Sequence, residues 1–235
     1  MSGSIRLFVT APLTTGAEVA ATAAQGHYLG AVMRRAVGDA IVLFNGSDGE
    51  WAARLATLRR GTASFVVDTR LRPQAAAPDL WLAFALLKRD ATDLVVQKTT
   101  ELGVAALWPV VTTRTNTQRV NLARLHAIAI EAAEQSERLT VPSIHEPQPL
   151  AALLRDWPAG RRLFVAAERA AAPPIVATDA PAGLLIGPEG GFAPAELDVI
   201  QAHPLVTIVS LGPLILRAET AAIAGLARLQ RAGWG

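Results

Sequence analysis

The chain of 235 residues contains no cysteine, which removes disulfides and thiolate-held metals from its chemistry. Its four histidines, His27, His126, His145 and His203, are scattered, so no metal is expected. Lysine is nearly missing as well: of 22 basic residues only Lys88 and Lys98 are lysine. Either a compact ammonium is wanted at those two points, where arginine would not substitute, or their placement is chance. Long apolar runs are absent too. The longest, such as Leu80 to Leu87 and Leu205 to Leu211, fall well short of the ~20 residues that cross a bilayer. The start, Met1-Ser-Gly-Ser-Ile-Arg-Leu-Phe-Val, has no basic stretch leading into an apolar run and does not read as a secretory signal. A cytoplasmic protein without a membrane partner is expected.

What is present is a strong core-forming composition, 51% hydrophobic, which excludes a mainly disordered chain. The formal net charge is only +2. Residues 1 to 77 hold eight Arg and five acids, whereas the remainder holds fourteen basic groups and fifteen acids. The basic surplus therefore lies in the first third, consistent with a polyanionic partner and equally with a solvated basic face.

That first third alternates short β-rich runs with turns: Ile5 to Val9, Ile41 to Phe44, Trp51 to Leu58 and Ser64 to Leu71. Asn45-Gly-Ser-Asp-Gly-Glu50 between two of them is a hairpin connection. Tyr28, Leu29, Val32 and Met33 recur at helical spacing and predict one short helix among the strands. A small β-barrel over residues 1–74 follows, and Pro73-Gln-Ala-Ala-Ala-Pro78 has linker composition. Over residues 78–235, continuous apolar runs alternate with amphipathic stretches, the pattern of parallel strands buried on both faces and joined by helices. The strands are expected at Leu80 to Leu87, Val104 to Val111, Leu163 to Ala167, Gly183 to Ile186 and Leu205 to Leu211. The helices are expected at Ala91 to Leu102, Asn121 to Leu139, Leu150 to Trp157, Pro194 to Ala202 and Glu219 to Gln230. The fold class is α/β.

Open α/β sheets bind ligands outside the carboxyl ends of their strands, which directs attention to two loops. Gly187-Pro-Glu-Gly-Gly-Phe192, with Pro194 suited to a helix start, lets backbone amides approach a ligand, or is an ordinary glycine turn. It is neither a P-loop nor a dinucleotide fingerprint. In Ser210-Leu-Gly-Pro-Leu-Ile-Leu-Arg-Ala-Glu-Thr220, Arg217 stands beside the positive end of a helix. That calls for an anion there: Glu219, Glu189, an RNA phosphate or a developing oxyanion. A third segment, Glu131-Ala-Ala-Glu-Gln-Ser-Glu-Arg138, either pairs Glu134 with Arg138 on a helix surface or turns Gln135 and Ser136 towards a ligand.

In order along the chain, Arg6-Leu-Phe-Val, His27-Tyr-Leu with Val32 to Arg35, Lys88, Gln97-Lys-Thr-Thr-Glu-Leu-Gly-Val104, Glu131 to Ser136, Ile186-Gly-Pro-Glu-Gly-Gly191 and the 210 to 220 loop resemble the RsmE family. These are 16S ribosomal RNA methyltransferases of the SPOUT superfamily, and the likeness spans nearly the whole chain. It implies a PUA-like RNA-binding barrel joined to a SPOUT α/β domain with a parallel sheet and a deep trefoil knot, a fold that general rules against knotting would not suggest. It also implies a homodimer, and S-adenosyl-L-methionine as cofactor in methylation of N3 of a specific uridine in 16S rRNA, within the small ribosomal subunit.

By the same resemblance the cofactor contacts Ala167, Glu168, Ile186, Gly187, Gly190, Gly191, Leu211, Gly212 and Leu216. Arg217 and Glu189 are the catalytic candidates, Arg217 for the uracil oxyanion or a phosphate and Glu189 for orientation or proton acceptance. Arg6, Arg34, Arg35, Lys88, Lys98, Gln135 and Arg138 are expected to meet RNA. Two residues depart from the family pattern: Leu214 stands where arginine is common, and Glu137 where a small residue, often glycine, follows Gln-Ser. Competing readings are a knotted methyltransferase acting on tRNA or a ribose 2′-hydroxyl, and a non-catalytic RNA-binding or ribosome-assembly protein. A nucleotide-dependent oxidoreductase would lack its glycine fingerprint.

Overall fold

The computed structural model describes residues 5–59, 62–75, 77–115, 117, 119–167 and 172–230. The chain divides into two compact units, Met1–Ala76 with Ala133–Val141, and Ala77–Ala132 with Pro142–Gly235.

In the first unit, strands β1 (Ile5–Phe8), β2 (Glu18–Ala20), β3 (Ala40–Phe44), β4 (Glu50–Arg59) and β5 (Thr62–Arg72) form one sheet in the order β1-β3-β4-β5-β2. The Asn45 to Gly49 turn joins antiparallel β3 and β4 as its composition suggests. The Asn45 side-chain oxygen accepts from the amides of Ser47 and Asp48, the self-bonded turn asparagine favours. Strand β2 escapes sequence reading because three residues with one buried side chain, Val19, give no period to detect. The single helix expected around Tyr28 is two pieces, α1 (Ala23–His27) and a π-helical turn over Tyr28–Val32. Thr22 and Gln25 form a capping box that starts α1.

Ala133–Val141 joins this unit because side chains of the sheet hold its carbonyls. Arg6 donates to the carbonyls of Ala133 and Arg138 at 2.8 and 2.6 Å, and Arg72 to that of Glu137 at 2.7 Å. Glu50 lies between the two guanidiniums, 2.6 Å from each. Burial raises the pKa of the Glu50 carboxyl, but the bonds from Arg72 and Arg6 outweigh it, and the net shift is downward.

The second unit carries a parallel sheet of β6 (Leu80–Ala85), β7 (Ala106–Val111), β8 (Ser143–Ile144), β9 (Gln148–Pro149), β10 (Arg162–Ala166), β11 (Ala182–Ile186) and β12 (Val206–Val209). The order is β12-β10-β11-β6-β7-β8, with β9 also on β7. β6 and β11 sit centrally. All five residues of β11 are buried, so its sequence is apolar throughout instead of alternating. The helices are α2 (Arg89–Glu101), α3 (Leu122–Gln135), α4 (Leu150–Arg155), α5 (Pro194–Ala202) and α6 (Ala218–Leu229). α2 packs on α6, and α6 on β11 and β6. Gly225 of α6 makes that approach possible, since a Cβ there would lie 2.5 Å from the Leu184 side chain. On α2 the buried hydroxyls of Thr92 and Thr99 donate to the carbonyls of Leu87 and Val95, so polar residues line an inward face without an unmet bond at those positions.

Candidate functional site

Because β10, β11 and β12 are adjacent and parallel, their exits fall on one edge of the sheet. Those exits enclose a cleft of about 730 Å³, walled by Ala166 and Ala167 after β10, Ile186 to Phe192 after β11, and Val209 to Leu216 after β12. The size suits a nucleoside-sized ligand. Ala167, Ile186, Gly187, Gly190, Gly191, Leu211, Gly212 and Leu216 all line it; Glu168 lies outside the described residues.

The glycine loop closes on itself. The Gly191 amide donates to the Pro188 carbonyl at 2.8 Å, with Gly191 at φ +68°, a conformation costly for a residue with a Cβ. The space beside Gly187 is taken by the Phe192 ring, 3.0 Å from where a Cβ would stand. This loop therefore presents main chain to the cleft. The opposite wall is fixed from outside: Arg228 donates to the Leu211 carbonyl at 2.7 Å, and the Gly212 amide bonds Ser210 Oγ at 3.2 Å. Ser210 also pairs with the segment that follows β10. Its amide donates to the Pro173 carbonyl at 2.8 Å, its carbonyl accepts from Ile175 at 3.1 Å, and the Thr178 amide reaches the Leu229 carbonyl at 3.0 Å.

Among the described lining residues Glu189 is the one ionisable side chain, and it is exposed. Arg217 does not line the cleft; it is the N-cap residue of α6, exposed, directly after the Ser210 to Leu216 wall. Among the described residues its guanidinium has no ion pair. Leu214 and Ile215 are 76% and 62% exposed on the same wall.

The residues expected to meet RNA are divided between the two units, Arg6, Arg34, Arg35, Gln135 and Arg138 in the first and Lys88 and Lys98 in the second. Arg6 requires a correction: its side chain is 7% exposed. Its guanidinium lies 3.8 Å over the Phe44 ring and is committed to Glu50 and two carbonyls, so it is an internal anchor of the first unit. Burial lowers the Arg138 guanidinium to about 10; it also donates to Thr140 Oγ1 at 3.0 Å. In the same unit Arg34 is exposed with φ +50°, Arg35 stands 3.8 Å from Asp39, and Gln135 is exposed at the end of α3. Glu134 accepts from the Phe8 amide at 2.9 Å. In the second unit Lys88 is exposed where α2 begins, and Lys98 pairs with Glu101 at 2.8 Å.

Sequence reasoning passed over Arg114, Glu196 and Arg228. The Arg114 guanidinium donates to the Gly190 carbonyl at 2.6 Å. Glu196 accepts from the Ala193 amide at 2.8 Å and from the Thr113 amide at 2.7 Å. Its place three residues after Ala193 is a capping signal, but nothing in the sequence tells that its second oxygen clamps a distant loop.

A family model described as an RNA methyltransferase domain matches residues 74–230, and one described as an RNA methyltransferase PUA domain matches residues 21–68. The ribosomal RNA small subunit methyltransferase E of Rickettsia conorii is 32% identical, over 88% of this chain and 86% of its own. That of Synechocystis is 33% identical, over 95% and 76%. The chain belongs to this RNA methyltransferase family. Among solved structures, the family's Neisseria gonorrhoeae enzyme bound to S-adenosyl methionine superposes with TM-score 0.85 at 28% identity, covering 96% of each chain. A Legionella pneumophila protein in complex with the cofactor SAM gives 0.86, also at 28% and 96% of each. The RNA methyltransferase and PUA family models agree with the fold class expected from the sequence.

Proposed function

We infer that this chain transfers a methyl group from S-adenosyl-L-methionine to N3 of a uridine in 16S ribosomal RNA. The observation that carries the reading is the cleft at the carboxyl edge of the sheet, bounded by two loops that offer main chain and apolar side chains, in a member of the RNA methyltransferase family. The residues fit such a group. Gly187, Gly190, Gly191, Leu211, Gly212 and Leu216, with Ile186 and Ala167, would hold it through backbone and apolar contacts. S-adenosylmethionine, when bound, supplies a methyl group already activated on a sulfonium.

The chain's own side chains must then prepare the acceptor. Uracil N3 is a poor nucleophile while protonated, and removing its proton leaves negative charge on the flanking carbonyl oxygens. Glu189 orients N3 or takes its proton. Arg217, a cation beside the amino end of α6, stabilises the carbonyl oxygen or an adjacent phosphate. Leu211, Leu214, Ile215 and Leu216 give the cleft an apolar wall against which the reactants can pack. Alignment of donor and acceptor supplies much of the acceleration.

The same reading includes a homodimer, action on the small ribosomal subunit in the cytoplasm, and a trefoil knot. The bonds of Ser210 and Leu229 to the segment after β10 support the knot, because they lay that connection across the chain that leaves β12. The test is to incubate the protein with labelled S-adenosylmethionine and small subunits from cells lacking this modification, then to identify the labelled nucleoside. N3-methyluridine is expected. A 2′-O-methyl product, or label entering only tRNA, would replace the substrate; tight cofactor binding without transfer to any RNA would leave a non-catalytic RNA-binding protein.

A further inference from the structure

We propose that Arg114 is a phosphate-anchoring residue for the substrate RNA at the rim of the cofactor cleft, the first member of a basic track continued by Lys88 and Arg89. The inference rests on the RNA methyltransferase reading and adds to it the side from which the RNA strand reaches the cleft.

Topology places the three cations together. β6 lies between β11 and β7, so the chain leaving β6 emerges between the glycine loop after β11 and the connection after β7. The Leu86 amide donates to the Val110 carbonyl at 3.0 Å, which keeps those two exits side by side until two residues before Lys88 and four before Arg114. Lys88, Arg89 and Arg114 are all exposed.

Charge pairing separates this edge from the rest of the unit. Lys98, Arg124, Arg155 and Arg161 each have a carboxylate partner. Among the described residues Lys88, Arg89, Arg114, Arg119 and Arg217 have none, and all five follow the carboxyl ends of β6, β7 or β12. Arg162 and Arg228 are the exceptions elsewhere. Cations without a carboxylate partner on the loops at this edge of the sheet contribute a positive field for a polyanion.

Arg114 is also held firmly. Thr112 and Thr115 close its turn through the Thr112 amide to Thr115 Oγ1, 3.0 Å, and a hydroxyl pair at 2.8 Å. The neighbouring Thr113 amide is clamped by Glu196. One N–H of Arg114 binds the Gly190 carbonyl. A guanidinium carries five N–H donors, so others remain for a phosphate while that bond fixes the charge against the glycine loop.

The experiment measures binding to small ribosomal subunits from cells lacking the modification, as log Kobs against log KCl concentration, together with S-adenosylmethionine affinity by calorimetry. Arg114→Ala should reduce the salt slope by ~0.7 to 1 and raise the RNA KM severalfold, with a much smaller fall in cofactor affinity from the lost bond to the Gly190 carbonyl. Arg114→Lys, which keeps the charge, should retain most of the slope, and Arg162→Ala should not change it. An unchanged slope in Arg114→Ala overturns the proposal, as does a loss of cofactor affinity that accounts for the whole defect, which would make Arg114 a prop for the glycine loop. Wild-type protein that neither binds nor methylates the subunits would overturn the functional reading itself; wild-type methylation with an insensitive Arg114→Ala slope would overturn this inference alone.

Discussion

The two edges of the parallel sheet are built differently. At the amino edge, Arg161 is 7% exposed and donates to the carbonyls of Asp79 and Ala182 at 2.8 and 3.1 Å and to the Asp79 carboxylate at 2.5 Å. Its guanidinium covers the Trp81 ring at 3.8 Å. Trp81 meets Trp108 and Trp157, Trp108 stacks on His145, and Trp157 Nε1 donates to the Arg161 carbonyl. The carboxyl edge replaces this filling with glycines, backbone at positive φ, an open cleft and cations that, among the described residues, have no carboxylate partner. Close packing and paired charge stabilise a strand end, whereas a ligand site has to leave groups uncommitted. Substitutions at one edge should therefore move stability and at the other activity.

The widest departure is expected at the carboxyl edge. If Arg217 stabilises the uracil oxyanion, Arg217→Ala lowers kcat by ~100-fold or more, with cofactor affinity and thermal midpoint nearly unchanged. Equal losses of turnover and cofactor affinity would remove Arg217 from that role. At the amino edge, Arg161→Ala takes a donor from the Ala182 carbonyl, breaks the bonds to Asp79 and uncovers Trp81, a loss of roughly 2 to 3 kcal/mol of stability visible in urea unfolding. At temperatures where the variant stays folded, its KM for S-adenosylmethionine should match wild type, and a shifted KM would break the division between edges. Gly191→Ala forces a Cβ into positive φ at about 1 to 2 kcal/mol. Because this loop is part of the cleft, the cost should surface as ~5- to 30-fold weaker cofactor binding, with a smaller change in the melting temperature.

The sequence displays these edges unequally. Fully buried β11 is legible because burial on both faces requires a continuous apolar run, and the cleft loops are legible because glycine and proline mark backbone where ligands can approach. The aromatic and Arg161 assembly is not, since Asp79, Arg161 and Ala182 meet only after the strands are ordered in space. Arg114 is hidden for the same reason: the Gly190 carbonyl is 76 positions away in sequence. Arg6 misled because the motif that contains it marks an important arginine without telling whether its charge faces solvent or three internal acceptors. Strands β8 and β9, two residues each, are too short to have a period.

A weaker effect is expected in the first unit, where a residue that departs from the family pattern meets a backbone constraint. α3 ends at Gln135, and Glu137 two residues later has φ +58°, the left-handed C′ position that glycine commonly fills. The usual small residue there thus has a conformational reason. Glu137→Gly removes ~1 to 2 kcal/mol of left-handed strain and loses about 0.5 to 1 kcal/mol to extra freedom in the unfolded chain. It also gives up the attraction of the Glu137 carboxylate to Arg6 and Arg72, which is small for an exposed group. Strain relief is the largest of the three, so a gain of up to about 1 kcal/mol is expected, a rise of roughly 1 to 4 °C in the thermal midpoint. Glu137→Ala separates the contributions, because it removes the charge and keeps the strain. A gain in Glu137→Gly that Glu137→Ala lacks would assign the effect to backbone conformation, and an equal gain in both would assign it to charge.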